Sequence, residues 1–97
     1  MIHDDLYRVI YKDETKAEVI LSDESHPVFK AHFPEQALLP GFMHFEIVAE
    51  IFGLNITTIK RAKFNQAILP KQNLRYERKD NKFKVYCDDK EAASFSI

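Results

Sequence analysis

The sequence predicts an α+β fold, in which a curved antiparallel sheet of about six strands wraps around one central helix at residues 42–52. Gly41 and Gly53 bracket a segment that is apolar on nearly every side, as expected of a helix enclosed by other structure. The rest of the chain is rich in short runs of β-branched and aromatic residues. The polar turns between these runs are too short for parallel crossovers, so neighbouring strands are predicted to be antiparallel.

The elements follow in order along the chain. Strands are predicted at residues 6–11 and 17–21 before the helix, and at residues 57–65, 73–78, 83–87 and 92–96 after it. Pro40 and Gly41 mark the start of the helix, and Gly53 stands where a left-handed cap ends one. Residues 22–41 hold three of the four prolines among several large apolar residues, which predicts a rigid, packed loop rather than a second helix.

Length and composition limit the class of protein. Ninety-seven residues suffice for one core, so a single domain over residues 1–97 is expected. A hydrophobic share of 45% excludes a disordered tail, and no apolar run is long enough to span a membrane. Because the start of the chain has no signal-peptide pattern and Cys87 is a single cysteine, we expect a cytoplasmic protein. The four histidines lack zinc-type spacing, so no metal site is expected.

Charge is distributed unevenly along the chain. Residues 1–50 carry four basic and ten acidic side chains, whereas residues 51–97 carry ten basic and five acidic ones. The basic part is densest between Lys60 and Lys84, where it forms either a solvated strand face or a docking surface for an acidic partner. Phe64, Tyr76 and Phe83 lie among these charges, but nucleic-acid binding is disfavoured because the whole chain is slightly acidic and has no nucleic-acid signature.

Two titratable residues are candidates for proton transfer. His32 lies in the proline-rich loop, and Glu46 lies between apolar neighbours in the predicted helix. Burial of a carboxyl group raises its pKa toward the range useful for a general acid. The N–H of Gly41, at the positive end of the helix, is a candidate donor to a developing oxyanion. By composition alone, His32 packing as an ordinary histidine and Glu46 sharing a wet stripe with Glu50 remain the alternatives.

These residues form a recognisable pattern. His32-Phe33-Pro34, then Leu39-Pro40-Gly41, then Glu46, resembles the signature of the hotdog-fold β-hydroxyacyl-(acyl-carrier-protein) dehydratases. Residues 62–74 resemble a second, weaker block of that family, and the similarity covers roughly residues 17–97. The chain departs from the family pattern at three positions, which are Glu35, Ala37 and Glu50.

The resemblance implies a reaction and a role for each site residue. The implied enzyme is a hydro-lyase of fatty-acid-type biosynthesis that dehydrates a 3-hydroxyacyl thioester, on acyl carrier protein or coenzyme A, to the trans-2-enoyl thioester. His32 would remove the α-proton, and Glu46 would protonate the leaving hydroxyl group. The backbone N–H groups of Gly41 and Phe42 would bind the thioester carbonyl. No cofactor is implied, because the thioester itself acidifies the α-carbon.

The resemblance also implies partners. The histidine of one subunit would meet the glutamate of the other in a homodimer, alone or within a higher oligomer. The loop around the histidine would be supported by Phe33, Pro34 and Pro40. The acidic carrier protein would dock on Lys60, Arg61 and Lys63. Two other functions remain open, namely a hotdog thioesterase that hydrolyses the thioester, and a non-catalytic protein that binds acyl groups or the carrier.

Overall fold

The computed structural model describes residues 6–32 and 38–97, and for residues 30–32 it describes the backbone. Six strands and two helices occur in these ranges. In chain order they are β1 (Tyr7–Lys12), β2 (Lys16–Leu21), α1 (Pro27–His32), α2 (Met43–Phe52), β3 (Lys60–Phe64), β4 (Asn73–Lys79), β5 (Lys82–Cys87) and β6 (Lys90–Ser96). All six predicted strands and the predicted central helix are present, with bounds shifted by at most three residues.

The strands form one antiparallel sheet in the order β1-β2-β4-β5-β6-β3, so β1 and β3 are its edges. Acidic residues close its tight turns. Asp13 Oδ1 accepts hydrogen bonds from the backbone N–H groups of Thr15 at 2.8 Å and Lys16 at 2.7 Å between β1 and β2. Asp80 and Asp88 adopt positive φ between later strands, which aspartate tolerates better than most residues.

Helix α2 packs against one face of the sheet. Strand residues alternate between buried and more exposed positions, as Ala17, Val19 and Leu21 do in β2. The buried strand residues and the inner face of α2 belong to one apolar cluster. Aromatic contacts join the two layers, including Phe45 against Phe95, whose ring centroids are 4.8 Å apart. Each large side chain buried in this way contributes about 1.5–3 kcal/mol to stability.

Helix α2 begins and ends where its sequence signals lie. The Pro40 carbonyl accepts a hydrogen bond from the Met43 N–H at 3.0 Å, which forms the first turn. At the other end Gly53 has φ 65° and ψ 41°, and its N–H donates to the Ala49 carbonyl. This is the left-handed cap that the position of Gly53 predicted. No helix in the described ranges is long and apolar enough to cross a membrane.

The segment before α2 corrects one prediction. Instead of a loop without helix, it contains the six-residue helix α1 (Pro27–His32). Pro27 occupies the first helical position, where its missing N–H is not needed. The side chain of His26 caps this end, because its Nδ1 accepts a hydrogen bond from the Val28 N–H at 3.1 Å. Val28 and Phe29 are buried, so packing stabilises a helix too short to persist alone.

Candidate functional site

The turn into α2 presents a backbone donor. Leu39 N–H donates to the Ile68 carbonyl at 2.8 Å, which fixes this turn against the segment that follows β3. The carbonyls of Pro40 and Gly41 accept the first hydrogen bonds from α2, at 3.0 and 3.2 Å. Within the described ranges the Gly41 N–H has no acceptor, and it lies at the positive end of the helix, where a backbone donor suits an anionic ligand.

Position 41 leaves little space for a side chain. A Cβ atom there would lie 3.0–3.2 Å from three carbon atoms of the Phe64 ring, closer than ordinary van der Waals contact. Phe64 ends the edge strand β3, and 51% of its surface is exposed. Its ring lies parallel to that of His44, with centroids 6.4 Å apart. Phe64 therefore covers Gly41 and His44 from the outer edge of the sheet.

A groove of about 520 Å³ opens beside this turn. Residues 64–68 form one wall, and Leu39, Gly41, Phe42 and His44 form the other. The groove combines apolar walls with polar groups at the helix start, as binding sites for small molecules commonly do. A larger groove of about 640 Å³ lies beside Phe52, at the far end of α2, and it lacks a helix start. We therefore place the candidate site in the groove at Gly41, which is called the entry groove below.

A buried polar pair lies under the entry groove. His44 is 2% exposed, and its Nδ1 lies 2.9 Å from the hydroxyl oxygen of Tyr76, which is completely buried in β4. Burial lowers the pKa of His44 to about 4 and raises the pKa of Tyr76 well above its usual value, so both groups are neutral near pH 7. Sequence reasoning did not select this pair, although His44 falls on the same helical face as Ile47, Val48 and Ile51.

Glu46 is placed differently from the expectation of a fully enclosed helix. Its side chain is exposed, as are Phe42 and Glu50, whereas Met43, His44, Ile47, Val48 and Ile51 face the sheet. Helix α2 therefore has an outer face that one chain leaves uncovered. Glu46 is exposed in the single chain because the curved sheet covers only one side of the helix, and its burial at a subunit boundary stays a prediction.

Glu50, the second carboxylate of this outer face, is tied to the sheet. Its Oε1 accepts a hydrogen bond from the Tyr7 hydroxyl group of β1. Partial burial of Tyr7, together with the Glu50 contact, raises the pKa of the phenol. Glu46 and Glu50 are both exposed on this outer face, as the alternative of a shared wet stripe expects, and Glu50 is hydrogen-bonded to Tyr7 of β1.

The remaining predicted site residues divide into two groups. His32 is the last residue of α1, but its side chain lies outside what is described, as do Phe33 and Pro34. The meeting of His32 with Glu46 therefore stays a prediction. Pro40, the third predicted supporting residue, is buried directly before the turn into α2.

The predicted carrier-binding residues lie on an edge of the sheet. Lys60, Arg61 and Lys63 are exposed in β3, where a bulge between Lys60 and Lys63 places Arg61 at a positive φ of 53°. A groove of about 230 Å³ beside them is also lined by Lys82 and Lys84. The groove thus brings basic side chains of the edge strand β3 together with those of β5, which lies two strands inward. Across the described residues, no three histidine, cysteine or acidic side chains gather in a way that could hold a metal ion.

Known proteins resemble this chain in sequence and in structure. A family model described as ApeI-like, ApeI dehydratase, matches residues 10–96. The structure of the dehydratase heterocomplex ApeI:P from Xenorhabdus doucetiae is similar over 94% of this chain and 95% of that chain, with a TM-score of 0.70 and 22% identity. An uncharacterized protein from Erwinia carotovora subsp. atroseptica is similar over 89% of this chain and 84% of that chain, with a TM-score of 0.58 and 28% identity. No curated protein matches. The structural likeness confirms the predicted hotdog fold.

Proposed function

The chain belongs to the ApeI-like dehydratase family, and from this premise we propose that it dehydrates a 3-hydroxyacyl thioester to the trans-2-enoyl thioester. The family supports the coarser activity, that of a dehydratase. The acyl thioester, carried by acyl carrier protein or coenzyme A in fatty-acid-type biosynthesis, is the proposed substrate. It suits the site because a thioester carbonyl acidifies the adjacent carbon enough for a side chain to remove its proton.

The observation that carries the proposal is the N–H of Gly41 beside the entry groove, for which the described residues offer no acceptor. When the α-proton leaves, negative charge develops on the thioester oxygen. A fixed backbone donor at the positive end of a helix stabilises that charge without reorganising during the reaction. The Phe42 N–H lies one residue further along the same turn and is proposed as an additional donor.

His32 and Glu46 are proposed to move the two protons. His32 takes the α-proton, the electron pair of that C–H bond forms the new double bond, and the β-carbon loses its hydroxyl group. Glu46 protonates this hydroxyl group, so the products are the enoyl thioester and water. His32 then releases the α-proton to solvent, and Glu46 takes up a proton from solvent, which restores both residues. Neither a metal ion nor a redox cofactor is needed for these steps.

A second subunit is proposed to complete the site. Glu46 is exposed in one chain, and the neighbouring apolar side chains Phe42 and Phe64 are 48% and 51% exposed. A covering chain would exclude water from both the carboxyl group and these rings, as proton transfer in a closed site requires. The similar Xenorhabdus doucetiae protein was solved as a heterocomplex. For this chain we propose a homodimer, in which each copy covers the outer face of the other copy's α2.

The proposed activity is tested with crotonyl-pantetheine and longer trans-2-enoyl thioesters, whose hydration and the reverse dehydration are followed by the absorbance of the conjugated double bond. We expect activity in the wild type, and a loss of at least 100-fold in His32→Ala and in Glu46→Gln. Folding of each variant is checked by circular dichroism. Equal turnover in all three proteins would reject the assignment, and release of free thiol without hydration would show a thioesterase instead.

A further inference from the structure

We propose that His44 is a substrate-binding residue, which donates a hydrogen bond from Nε2 to the carbonyl oxygen of the bound thioester. It would act together with the Gly41 N–H in the entry groove. The inference rests on the proposed function for the identity of the ligand. The donor itself is inferred from the burial of the imidazole ring and from its contacts with Tyr76 and Phe64, which lie outside the motif that suggested His32 and Glu46.

The position of Nε2 follows from burial and hydrogen bonding. His44 is 2% exposed, and its Nδ1 is engaged by Tyr76 at 2.9 Å. The structure gives Nε2 no partner among the described residues. The described side-chain atoms that are fully buried without a partner include Ser22 Oγ and not His44 Nε2, which agrees with Nε2 bordering open space. The entry groove is the space that His44 lines.

The tautomer of His44 is set by Tyr76. The Tyr76 hydroxyl group is completely buried, and His44 Nδ1 is the acceptor that the described residues offer its proton. A buried hydroxyl proton without an acceptor is costly, so Tyr76 donates and Nδ1 accepts. A neutral imidazole carries one proton, and that proton must then lie on Nε2. Burial keeps the ring neutral, since it lowers the pKa of His44 to about 4. The group that faces the groove is therefore an N–H donor.

This donor suits the charge that develops on a thioester oxygen. The enolate oxygen that forms when the α-proton leaves has three lone pairs, so a side-chain donor can add to the backbone N–H groups of Gly41 and Phe42. The Nε2–H of His44 is already held in place by Tyr76 and by the Phe64 ring, so it does not need to reorient during the reaction. We therefore expect the thioester oxygen to lie between the Gly41 N–H and His44 Nε2.

The first test observes the ring nitrogens directly. In protein labelled with ¹⁵N-histidine, we expect His44 at pH 7 to be protonated at Nε2 and not at Nδ1. The probe is the amide analogue of crotonyl-pantetheine, in which NH replaces the thioester sulfur so that the carbonyl remains. Its addition should shift the His44 Nε2–H signal and leave the His26 signals in place. A proton on Nδ1, no binding of the probe, or saturation by the probe without that shift would overturn the proposal.

The second test is kinetic. Because His44→Phe leaves the Tyr76 hydroxyl group buried without a partner, the variant to use is the double substitution His44→Phe/Tyr76→Phe, which removes both polar groups. We expect its kcat to fall about 100-fold, the usual effect of losing one oxyanion donor, while Tyr76→Phe alone loses less than tenfold. His44→Gln, whose side-chain amide places an N–H near the position of Nε2, should retain more activity than the double variant. Val48→Ala is the control for loss of stability alone. It removes buried side-chain atoms from the helix core, and its kcat should not change.

The failure of this inference is distinguishable from the failure of the proposed function. A wild type that hydrates crotonyl-pantetheine, with a folded double variant that retains its kcat within twofold, would overturn the role of His44 and leave the dehydratase in place. A wild type that binds the amide analogue through His44 Nε2 but never hydrates the thioester would support the donor and reject the proposed reaction.

Discussion

At the scale of single residues, the contact between Gly41 and Phe64 links the helix start to the sheet edge. Since a Cβ at position 41 would meet the Phe64 ring at 3.0–3.2 Å, Gly41→Ala must displace that ring. Phe64 is half-exposed and has room to move outward, so we expect a loss of about 1 kcal/mol in the free energy of unfolding, at the low end for overpacking. Urea unfolding measures this loss.

The matched control is the double variant Gly41→Ala/Phe64→Ala. Removal of the ring relieves the added methyl group, so alanine at position 41 should cost less in the Phe64→Ala background than in the wild type. The difference between the two costs is the coupling energy of this contact. Equal costs in both backgrounds would contradict the steric explanation.

The burial of His44 predicts how the free energy of unfolding depends on pH. Its pKa in the folded chain is about 4, below the usual 6.5, so the folded state binds fewer protons than the unfolded state between these values. Stability is therefore fully present above about pH 6.5 and is lost as the pH falls toward 4. For a group this deeply buried, the loss amounts to about 3 kcal/mol.

Urea unfolding at a series of pH values between 7 and 4 measures the loss. The double variant His44→Phe/Tyr76→Phe has no titrating ring at this position and should show a flatter profile over the same range. The hydrogen-bonded Asp13, whose pKa is lowered to about 2, adds its own loss only below about pH 4. Identical pH profiles for wild type and double variant would show that His44 does not titrate as described.

At the scale of elements, the strands and α2 were predictable because their signals are local. Short runs of β-branched and aromatic residues between polar turns predicted the strands, and Gly53 marked the end of α2. Helix α1 was missed because a six-residue segment has too few residues to show a helical period. Its stability comes from the buried Val28 and Phe29 and from the His26 cap, which are tertiary and side-chain contacts.

The candidate site was predictable only in part, for the same reason. The turn at Pro40 and Gly41 is a local signal, and the structure places it at the start of α2 beside a groove. The pairing of His44 with Tyr76 joins residues 32 positions apart, and no spacing rule within one element predicts such a contact. The exposure of Glu46 depends on which face of α2 the sheet covers, which the nearly uniform apolar composition of that helix did not reveal.

The basic residues of the edge strand β3 allow the docking of a carrier protein to be tested. Lys60 and Lys63 are exposed on β3, next to a groove that is also basic. If an acidic carrier protein docks there, Lys60→Glu/Lys63→Glu should raise the KM for carrier-bound substrate about tenfold at low salt, mainly through slower association. The KM for crotonyl-pantetheine, which has no carrier, should not change.

The control for this pair is Lys12→Glu/Lys79→Glu, which changes the net charge equally on the exposed surface of β1 and β4. It should leave the KM for carrier-bound substrate within twofold of the wild type. The effect of the β3 pair should also shrink in 0.5 M salt, since exposed charges are then screened. Equal effects from both pairs would indicate net charge rather than a docking surface on β3.

At the scale of the whole molecule, apolar side chains are exposed near both edges of the sheet. Val9, Ile10 and Tyr11 on β1 are 43%, 47% and 44% exposed, and Phe42 and Phe64 are exposed beside α2 and β3. A short chain gains stability when such surfaces are covered by another subunit. The exposed Glu46 lies with the second group, so a subunit that covers Phe42 would also enclose the carboxyl group.

If each site takes His32 from one subunit and Glu46 from the other, dimers of two different variants should be active. His32→Ala and Glu46→Gln chains, given different tags, are coexpressed and purified over both tags, so that only mixed dimers remain. If the histidine of one copy works with the glutamate of the other, one of the two sites in each mixed dimer keeps both residues. We expect about half of the wild-type activity, whereas each variant alone is inactive.

The matched control reverses the arrangement. A wild-type chain is paired with a chain that carries both His32→Ala and Glu46→Gln. In a shared arrangement each site then lacks one of the two residues, so this dimer should be inactive although one of its chains is unaltered. If the site lies within one chain, the outcomes exchange, because the first mixed dimer is inactive and the second retains half of the activity. The two dimers carry the same substitutions in total, so their difference depends only on whether the proton-transfer residues meet across the subunit boundary.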